Sequence, residues 1–314
     1  MALTLLESRK LGAGEVMRDA VIEEYAANSD ILRVLPFENI EGGAYAYNRE
    51  DTLPAVGFRG INESYPEGTG VINPQVETLS IAGGDLDVDQ YLIDTHGPQS
   101  RSTHEMMKVK ALSLRWTREF IKGDSVANPR VFDGLQARVT GTQLMSAGNT
   151  SGGDALSLAM LDDVIDLVDM PTHIIMNKKM RNLLTAASRT TSITGFINYE
   201  QSELGQRVTT YNGLPILIAD YDNEGAQILG FTEANPGGGS PASTSIYVVS
   251  LGSSMLTGIQ GRSRGQFGVS VRDLGEQDAK PVLRTRIEWN SGFAVLHGRA
   301  VARLQGLRSA AVVA

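Results

Sequence analysis

Three short segments of the chain combine residue types used by enzymes and metal sites. The segment GRSRG at 261–265 matches GxSxG, the turn that presents a nucleophilic serine, here Ser263, between a strand and a helix. The residues that follow, QFGVSVRDLG, favour a strand instead of that helix. Asp273 and His297 come later in the order of a hydrolase triad, so a serine hydrolase stays open as a distant alternative.

The segment HEMMK at 104–108 is close to HExxH, in which two histidines one helical turn apart bind zinc. Lys108 stands where the second histidine is required, and its positive charge would repel the metal. Glu105 is better explained as the partner of Ser102 in a capping box at the start of a helix. The segment therefore predicts a helix start and no zinc site.

The third segment, DYDNEG from Asp220, begins like a calcium-binding loop. Its twelfth position is Phe231 instead of a bidentate glutamate, and strands flank it, so an acidic turn is the simpler interpretation. Neither a phosphate-binding glycine loop nor metal-ligand spacing of histidines is present. We therefore predict no catalytic residue, no metal and no cofactor. Four aspartates cluster on one predicted helix and are best explained as its solvated face: Asp162, Asp163, Asp166 and Asp169. The remaining histidines, His96, His173 and His297, show no metal-ligand spacing.

The composition narrows the classes of function. The chain has 314 residues, of which 41% are hydrophobic and 20% charged, with a net charge of −8. A free-standing nucleic-acid binder would carry a basic excess, so tight DNA binding is not expected as the main activity. The absence of cysteine excludes disulfides, thiolate metal sites and a cysteine nucleophile. No apolar run approaches the ~18 residues of a membrane span, and no signal peptide is visible.

The elements that would position these residues begin with helices. An amphipathic helix is predicted over residues 15–27, and a longer one over 102–123, ending at Gly123. The longer helix has an apolar stripe on Val109, Leu112, Trp116 and Phe120, and a second on Met107, Ala111, Leu114 and Ile121. Its opposite side repeats Lys108, Arg115 and Lys122 every seven residues, a basic edge that could meet solvent, phosphate or an acidic neighbour.

A long arm at 48–80 separates these helices. It is rich in proline and glycine but also carries Phe58, Ile61 and Tyr65, which a disordered linker would not need. Its two limbs, the second being VETLSIAGGDLDVD, are predicted to pair as an antiparallel excursion. An isolated hairpin is at best marginally stable in water, so the arm implies a partner surface.

After the flexible segment at 149–154, helices and strands alternate. Helices are predicted to start at the caps Asp154 and Asn177, with a short buried strand THIIM between them. Asn212-Gly213 predicts the turn of a β-hairpin, and long strands are predicted near the C-terminus.

The order of these elements resembles the major capsid proteins of tailed bacteriophages with the Hong Kong 97-type shell fold. The resemblance covers nearly the whole chain and is carried by LPFENIEGGAYAYNRE, LPAVGFRGINESY, GDLDVDQYLI, VFDGLQARVTG and YNGLPILIADYD. It implies an α+β shell fold whose parts are an N-terminal arm (1–40), an extended β-hairpin loop (41–89), a peripheral domain with a long spine helix (90–145), an α/β axial domain (146–258), and strands returning to the peripheral domain with the C-terminus (259–314).

The resemblance also implies a function. Such a chain assembles with itself into hexamers and pentamers of an icosahedral shell enclosing phage double-stranded DNA, within a virion assembled in the bacterial host cytoplasm. The implied partners are a separate scaffolding protein, a portal, possible decoration proteins and, weakly, the packaged DNA. Phe58, Arg59, Ile61 and Tyr65 would contact a neighbouring subunit. Residues 41–89 contain no lysine, so the loop crosslink of some members is not expected. An encapsulin-type compartment with enzyme cargo is the alternative, which length and the N-terminal arm disfavour.

Overall fold

Two mixed β-sheets form the frame of the protein in the computed structural model, which describes residues 3–4, 29–96, 99–189, 197–201, 207–263 and 265–313. The predicted helix at 15–27 lies outside the described residues. The strands are β1 (Leu3–Thr4), β2 (Pro36–Asn39), β3 (Ala44–Thr52), β4 (Val71–Thr78), β5 (Ser80–Asp89), β6 (Leu144–Ser146), β7 (His173–Met176), β8 (Ile197–Gln201), β9 (Arg207–Tyr211), β10 (Leu214–Ile218), β11 (Thr244–Val249), β12 (Leu256–Gln260), β13 (Arg262–Ser263), β14 (Gln266–Phe267), β15 (Val269–Gln277), β16 (Lys280–Val295) and β17 (Val301–Leu307).

The helices connect and cover these strands. They are α1 (Asp30–Val34), α2 (Gln90–His96), α3 (Gln99–Lys122), α4 (Leu135–Arg138), α5 (Leu158–Asp166) and α6 (Lys178–Ala187), with one 3₁₀ turn at Gly141–Gln143. Within the part of the chain that the structure describes, none of them is long and apolar enough to cross a membrane.

The six-stranded sheet is organised around β16. β16 pairs antiparallel with β15 and β5, and its C-terminal end pairs with the whole of β12. From β12 the sheet continues through β2 to β1. Inward side chains of β16, such as Trp289 and Phe293, alternate with the outward Arg284, Arg286 and Glu288. This alternation is typical of a sheet with one buried face, and it explains why the long terminal strands were readable from the sequence.

The seven-stranded sheet runs in the order β6-β17-β11-β7-β10-β9-β8. The third strand in this order, β11, is buried at every residue: Ile246 and Val248 face one hydrophobic cluster, Tyr247 and Val249 the other. A strand covered on both faces needs an uninterrupted apolar run, which is what IYVV provides. The last strand, β17, pairs with β11 here, whereas β15 and β16 belong to the other sheet.

The helix α3 packs its predicted first stripe into an aromatic core. Val109, Trp116 and Phe120 are buried, and the Trp116 ring stacks on Phe120 at 5.3 Å between ring centroids. Phe37, Phe132, Trp289 and Phe293 complete the cluster. The helix ends at Lys122, next to Gly123 as predicted. Only glycine fits at position 123, because a Cβ there would lie 2.3 Å from the carbonyl oxygen of Phe132.

The predicted helix starts have mixed outcomes. Asn177 caps α6, its side-chain oxygen accepting from the Met180 amide at 2.6 Å. The capping box is wrong, because α3 begins three residues before Ser102 and Glu105 instead accepts from Thr285 Oγ1 at 2.7 Å. The cap at Asp154 is also wrong: Asp154 bridges to Leu307 of β17, and the helix begins only at Leu158. At Ser102 and Asp154, the two positions where the prediction is wrong, tertiary pairing outweighs the local signal.

The long arm folds as the predicted two-stranded excursion. β3 and β4 form an antiparallel sheet of two strands. Their pairing begins where Ala44 faces Thr78 and ends where Thr52 faces Val71, next to the turn of the hairpin. Residues 80–89, predicted as part of the second limb, instead pair with β16 in the six-stranded sheet. The strand of the excursion therefore ends at Thr78, since β16 supplies a longer pairing edge for β5 than β3 can.

Candidate assembly surface

Residues 53–70, the tip of the β3–β4 hairpin, expose several large apolar side chains to solvent. Phe58 is fully exposed, and Tyr65 keeps 64% of its surface. The other exposed apolar residues of the tip are Leu53, Val56 and Ile61. A contiguous group of this kind is typical of a surface that another molecule covers.

The polar groups of the tip hold its shape. Arg59 lies over the Tyr65 ring at 5.0 Å and donates to the Glu63 carbonyl oxygen, and Glu63 accepts from the Gly60 amide at 2.8 Å. The left-handed conformation of Asn62, with φ of 66°, completes this turn. The structure thus brings the four predicted contact residues Phe58, Arg59, Ile61 and Tyr65 together on one exposed loop; their role in a contact stays a prediction.

The root of the hairpin is fastened to the body by a salt bridge and a tyrosine. Both carboxylate oxygens of Glu77 on β4 accept from the Arg138 guanidinium on α4, at 2.7 Å for the Nη2–Oε2 pair. Arg138 also stacks on Phe293 at 4.5 Å and donates to the Asp133 carbonyl oxygen. Because the pair is largely withdrawn from solvent, salt screens it less than an exposed pair, and loss of one partner would leave a part-buried charge. We call Glu77, Arg138 and Tyr47 the hairpin clamp.

Tyr47 is the third member of the hairpin clamp. Its hydroxyl lies 3.1 Å from the Val295 carbonyl oxygen and 3.3 Å from Glu77 Oε1. Burial, together with the negative charge of Glu77, raises the pKa of Tyr47 to about 12. The phenol therefore stays protonated and remains a donor at the root of the hairpin. Sequence reasoning did not identify this clamp, because its members are far apart in the chain.

The three residues of the hairpin clamp line a polar cleft of about 810 Å³. Arg49 and Leu53 of the hairpin face Asp169, His297 and Arg299 of the body across it. Arg299 Nη1 lies 3.4 Å from Asp169 Oδ1, and His297 Nδ1 lies 3.7 Å from Asp169 Oδ2. The cleft thus separates part of the hairpin root from the rest of the subunit, to which the hairpin clamp attaches it.

The predicted basic edge of α3 faces acidic neighbours in its own chain. Arg115 Nη2 lies 2.7 Å from Glu119 Oε1, and Lys122 Nζ lies 3.9 Å from Glu233 Oε1. Burial lowers the pKa of Lys122, and the nearby Glu233 carboxylate opposes that change. Lys108 lies over Gly84 of β5. Arg115 and Lys122 therefore contact carboxylates of their own chain, and a contact of the basic edge with phosphate or another subunit stays a prediction.

The residues of the GxSxG segment are not arranged as a nucleophile elbow. Ser263 lies on β13, which turns directly into its partner strand β14 instead of a helix. Its buried hydroxyl accepts from Ser270 Oγ at 3.1 Å. Asp273 binds Arg101 at 2.8 Å, and His297 contacts Asp169. The structure therefore gives the three residues separate partners.

The other segments considered for metal chemistry have structural partners. Asp222 accepts from the amides of Glu224 and Ala226 in a turn, and Asp162 accepts from the Tyr211 hydroxyl at 2.8 Å. Burial lowers the pKa of His173 to about 4. His104 is exposed on α3, and the side chain of His96 is outside those described. No group of three potential metal ligands occurs in the described ranges.

A second exposed apolar group lies on α2 and the first half of α3. Tyr91 keeps 73% of its surface and Met107 61%, and Leu92 and Met106 are also exposed. Sequence analysis assigned Met107 to the second apolar stripe of the long helix. Met107 is the first residue of that stripe, and in the structure it is exposed to solvent.

Comparison with known proteins gives structural relatives only. No protein-family model matches the chain, and no curated protein sequence does. Among solved structures, the SrpI encapsulin from Synechococcus elongatus PCC 7942 matches with a TM-score of 0.64 and 18% identity, over 98% of this chain and 97% of that one. The capsid of a native GTA particle matches with a TM-score of 0.62 and 15% identity, over 89% and 90%.

A structure from Mycobacterium phage Bobi matches with a TM-score of 0.59 and 12% identity, over 88% of this chain and 89% of that one. At these identities the likeness concerns the fold, and it extends over nearly the full length of each chain. The chain therefore has the Hong Kong 97-type shell fold that phage capsids and encapsulins have in common.

Proposed function

We propose that this protein is a structural shell subunit, which assembles with copies of itself into a closed icosahedral container. The observation that carries the proposal is the hairpin tip, whose apolar side chains have no core to join within their own subunit. The likeness over nearly the whole chain to shell-forming proteins supports it. In this proposal the neighbouring subunit buries Phe58, Arg59, Ile61 and Tyr65, so that assembly stabilises the tip.

The finer assignment is a major capsid protein that encloses phage double-stranded DNA, with hexamers and pentamers as its building units. The net charge of −8 supports this assignment, because a container that fills with DNA gains little from gripping it. The proposed partners are further copies of the chain, a separate scaffolding protein, a portal and a decoration protein. We propose the division into arm, hairpin loop, peripheral domain with α3 as spine helix, and axial domain on the same grounds.

An encapsulin-type compartment is the second candidate. It is favoured by one observation, the encapsulin match over 98% of this chain, against about 89% for the GTA capsid. Both candidates require self-assembly and differ in what the shell encloses.

Electron microscopy of the purified full-length chain tests the shared part of the proposal. Closed shells, or rings of five and six subunits, are expected after co-expression with candidate scaffolding proteins. The absorbance ratio of nuclease-treated shells at 260 and 280 nm, with mass spectrometry of the contents, then separates DNA from protein cargo. A monomer under all these conditions would contradict shell assembly. A reaction of Ser263 with a fluorophosphonate probe would instead support the hydrolase alternative.

A further inference from the structure

We propose that the polar cleft at the root of the hairpin binds a small phosphorylated molecule, whose phosphate group pairs with Arg49 of β3. The inference concerns a single subunit and goes beyond shell assembly. It gives a role to a half-buried cation for which the described side chains provide no carboxylate partner.

The acidic groups of the cleft are occupied by other donors. Three carboxylates line it, and each lies beside a donor of its own chain: Glu77 beside Arg138, Asp133 beside the Ser125 amide, and Asp169 beside Arg299. None of the three forms an ion pair with Arg49 in the described part of the chain. A half-buried charge without a partner is costly, so Arg49 favours the presence of an anion in the cleft.

Arg49 lies against the turn that joins β16 to β17. Its Nε atom is 3.7 Å from the position that a Cβ would take on Gly298. Its positive charge also reaches the hydroxyl of Tyr47, where it opposes the rise in the pKa of that phenol. His297 and Arg299 flank Gly298, and both line the cleft. A phosphate bound by Arg49 would therefore lie near two further groups that can donate hydrogen bonds.

A guanidinium suits a phosphate by its shape as well as by its charge. It presents its N–H groups as a planar fork, which matches two oxygens of a phosphate group. Such charge-assisted hydrogen bonds are roughly twice as strong as those between neutral groups. The phosphate is therefore the part of the ligand that Arg49 recognises.

The uncharged side chains of the cleft suit a body that carries hydroxyl groups. Thr140, Thr142, Gln75 and Gln143 line the cleft. Hydroxyl and amide groups both donate and accept hydrogen bonds, so they can pair with the hydroxyls of a sugar or another polyol. The volume of about 810 Å³ lies within the range of small-molecule sites, about 300–1,000 Å³. The chemistry therefore favours a phosphate monoester of a small polyol.

A ligand in this position would connect the hairpin to the rest of the subunit. Arg49 belongs to β3, whereas His297 and Arg299 belong to the turn after β16. A phosphate between them would form a second attachment of the hairpin root, in addition to the hairpin clamp. We therefore expect the bound molecule to protect the amides of residues 44–52 from hydrogen exchange.

Isothermal titration calorimetry of the full-length chain at constant ionic strength tests the inference. The probes are glucose 6-phosphate, glucose, inorganic phosphate, citrate and a short DNA duplex. We expect saturable binding of one glucose 6-phosphate per chain, at least ~10-fold tighter than that of glucose, because a charge-assisted hydrogen bond contributes about that factor. Inorganic phosphate should bind more weakly than glucose 6-phosphate, since it lacks the hydroxyl-bearing body.

Two arginine variants locate the site. Arg49→Gln should weaken the binding of glucose 6-phosphate at least ~10-fold, because it removes the charged fork. Arg130→Gln is the matched control, since Arg130 is exposed and does not line the cleft, and it should bind as the wild type does. Equal thermal midpoints of the two variants without ligand verify that both are folded.

Several results would overturn the inference. These are equal affinities of the wild type and Arg49→Gln, no saturable binding of glucose 6-phosphate, and binding that leaves the exchange of residues 44–52 unchanged. Tighter binding of the DNA duplex would assign the phosphate to nucleic acid, and tighter binding of citrate would assign the cleft to carboxylates. Because binding is measured on the chain whether or not it assembles, a failure of shell formation contradicts the proposed function alone.

Discussion

At the hairpin tip, Phe58 contacts too little of its own subunit to contribute to the subunit's stability. Its side chain is fully exposed, and Tyr65 is mostly exposed. We expect Phe58→Ala and Tyr65→Ala each to change the free energy of unfolding by less than ~0.5 kcal/mol. In a contact, a buried aromatic anchor contributes ~2 kcal/mol or more, so the affinity between subunits should fall ~30-fold.

Sedimentation of assembly mixtures against thermal unfolding of the isolated subunit separates the two effects. Val126→Ala is the control, since Val126 is equally exposed but outside the tip. Variants that lose thermal stability as subunits while assembling normally would show that the tip belongs to its own core.

The hairpin clamp makes a different prediction at the same scale. Glu77→Gln removes the carboxylate that pairs with the part-buried Arg138, and leaves one charge without its partner. We expect a loss of about 2 kcal/mol in the free energy of unfolding, measured by urea denaturation. The exposed Asp87→Asn, which breaks a similar pair with Arg284, should leave the midpoint almost unchanged because solvent screens that pair. Equal effects of the two changes would contradict the role of the clamp.

At the scale of elements, β7 brings a histidine into the seven-stranded sheet. Burial lowers the pKa of His173 to about 4, against ~6.5 in an unfolded chain. Between these values the unfolded state binds the extra proton, so the free energy of unfolding falls as the pH drops from ~6.5 to ~4 and levels off below. The full shift corresponds to at most about 3 kcal/mol.

Urea unfolding at pH 7, 6 and 5 measures this slope. His173→Asn should flatten it, whereas His104→Asn, on the exposed side of α3, should keep it. A slope that is unchanged in His173→Asn would place the pH dependence on other groups.

At the scale of the whole molecule, the buried carboxylate of Glu233 lies between the seven-stranded sheet and the end of the long helix. Glu233 Oε2 lies 3.0 Å from Arg303 Nη2 on β17 and also accepts from Ser245 on β11. Lys122 at the end of α3 approaches the other carboxylate oxygen. Arg303→Met should cost about 3–5 kcal/mol in the free energy of unfolding, because it leaves a buried carboxylate without its main partner.

The double variant Glu233→Gln with Arg303→Met should recover much of that loss, since no unpaired charge then remains. Chemical denaturation of the single and double variants measures this coupling. Additive losses would contradict an interaction between the two side chains.

Much of the fold was predictable from the sequence because it depends on local patterns. Alternation along β16, the apolar run of β11, the Asn212-Gly213 turn and the Asn177 cap each specify an element through nearest neighbours. The Asn212-Gly213 turn has φ of 49° and 78°, the left-handed pair that these residue types favour. The Hong Kong 97-type fold, in contrast, was predicted through the resemblance of these segments, in their order, to a known family.

What the sequence alone could not determine was the partner of each element. Local signals assigned Ser102 and Asp154 as caps, and tertiary pairing gave both positions other roles. The tip was predictable as an exposed group because its apolar residues lie within one short segment. The hairpin clamp was not, because Glu77 and Arg138 come together only when sheets and helices pack. Likewise, the exposure of Tyr91 and Met107 depends on which side chains the packed elements cover. Periodicity identifies which face of an element is apolar, while only the tertiary structure decides whether that face is buried or exposed.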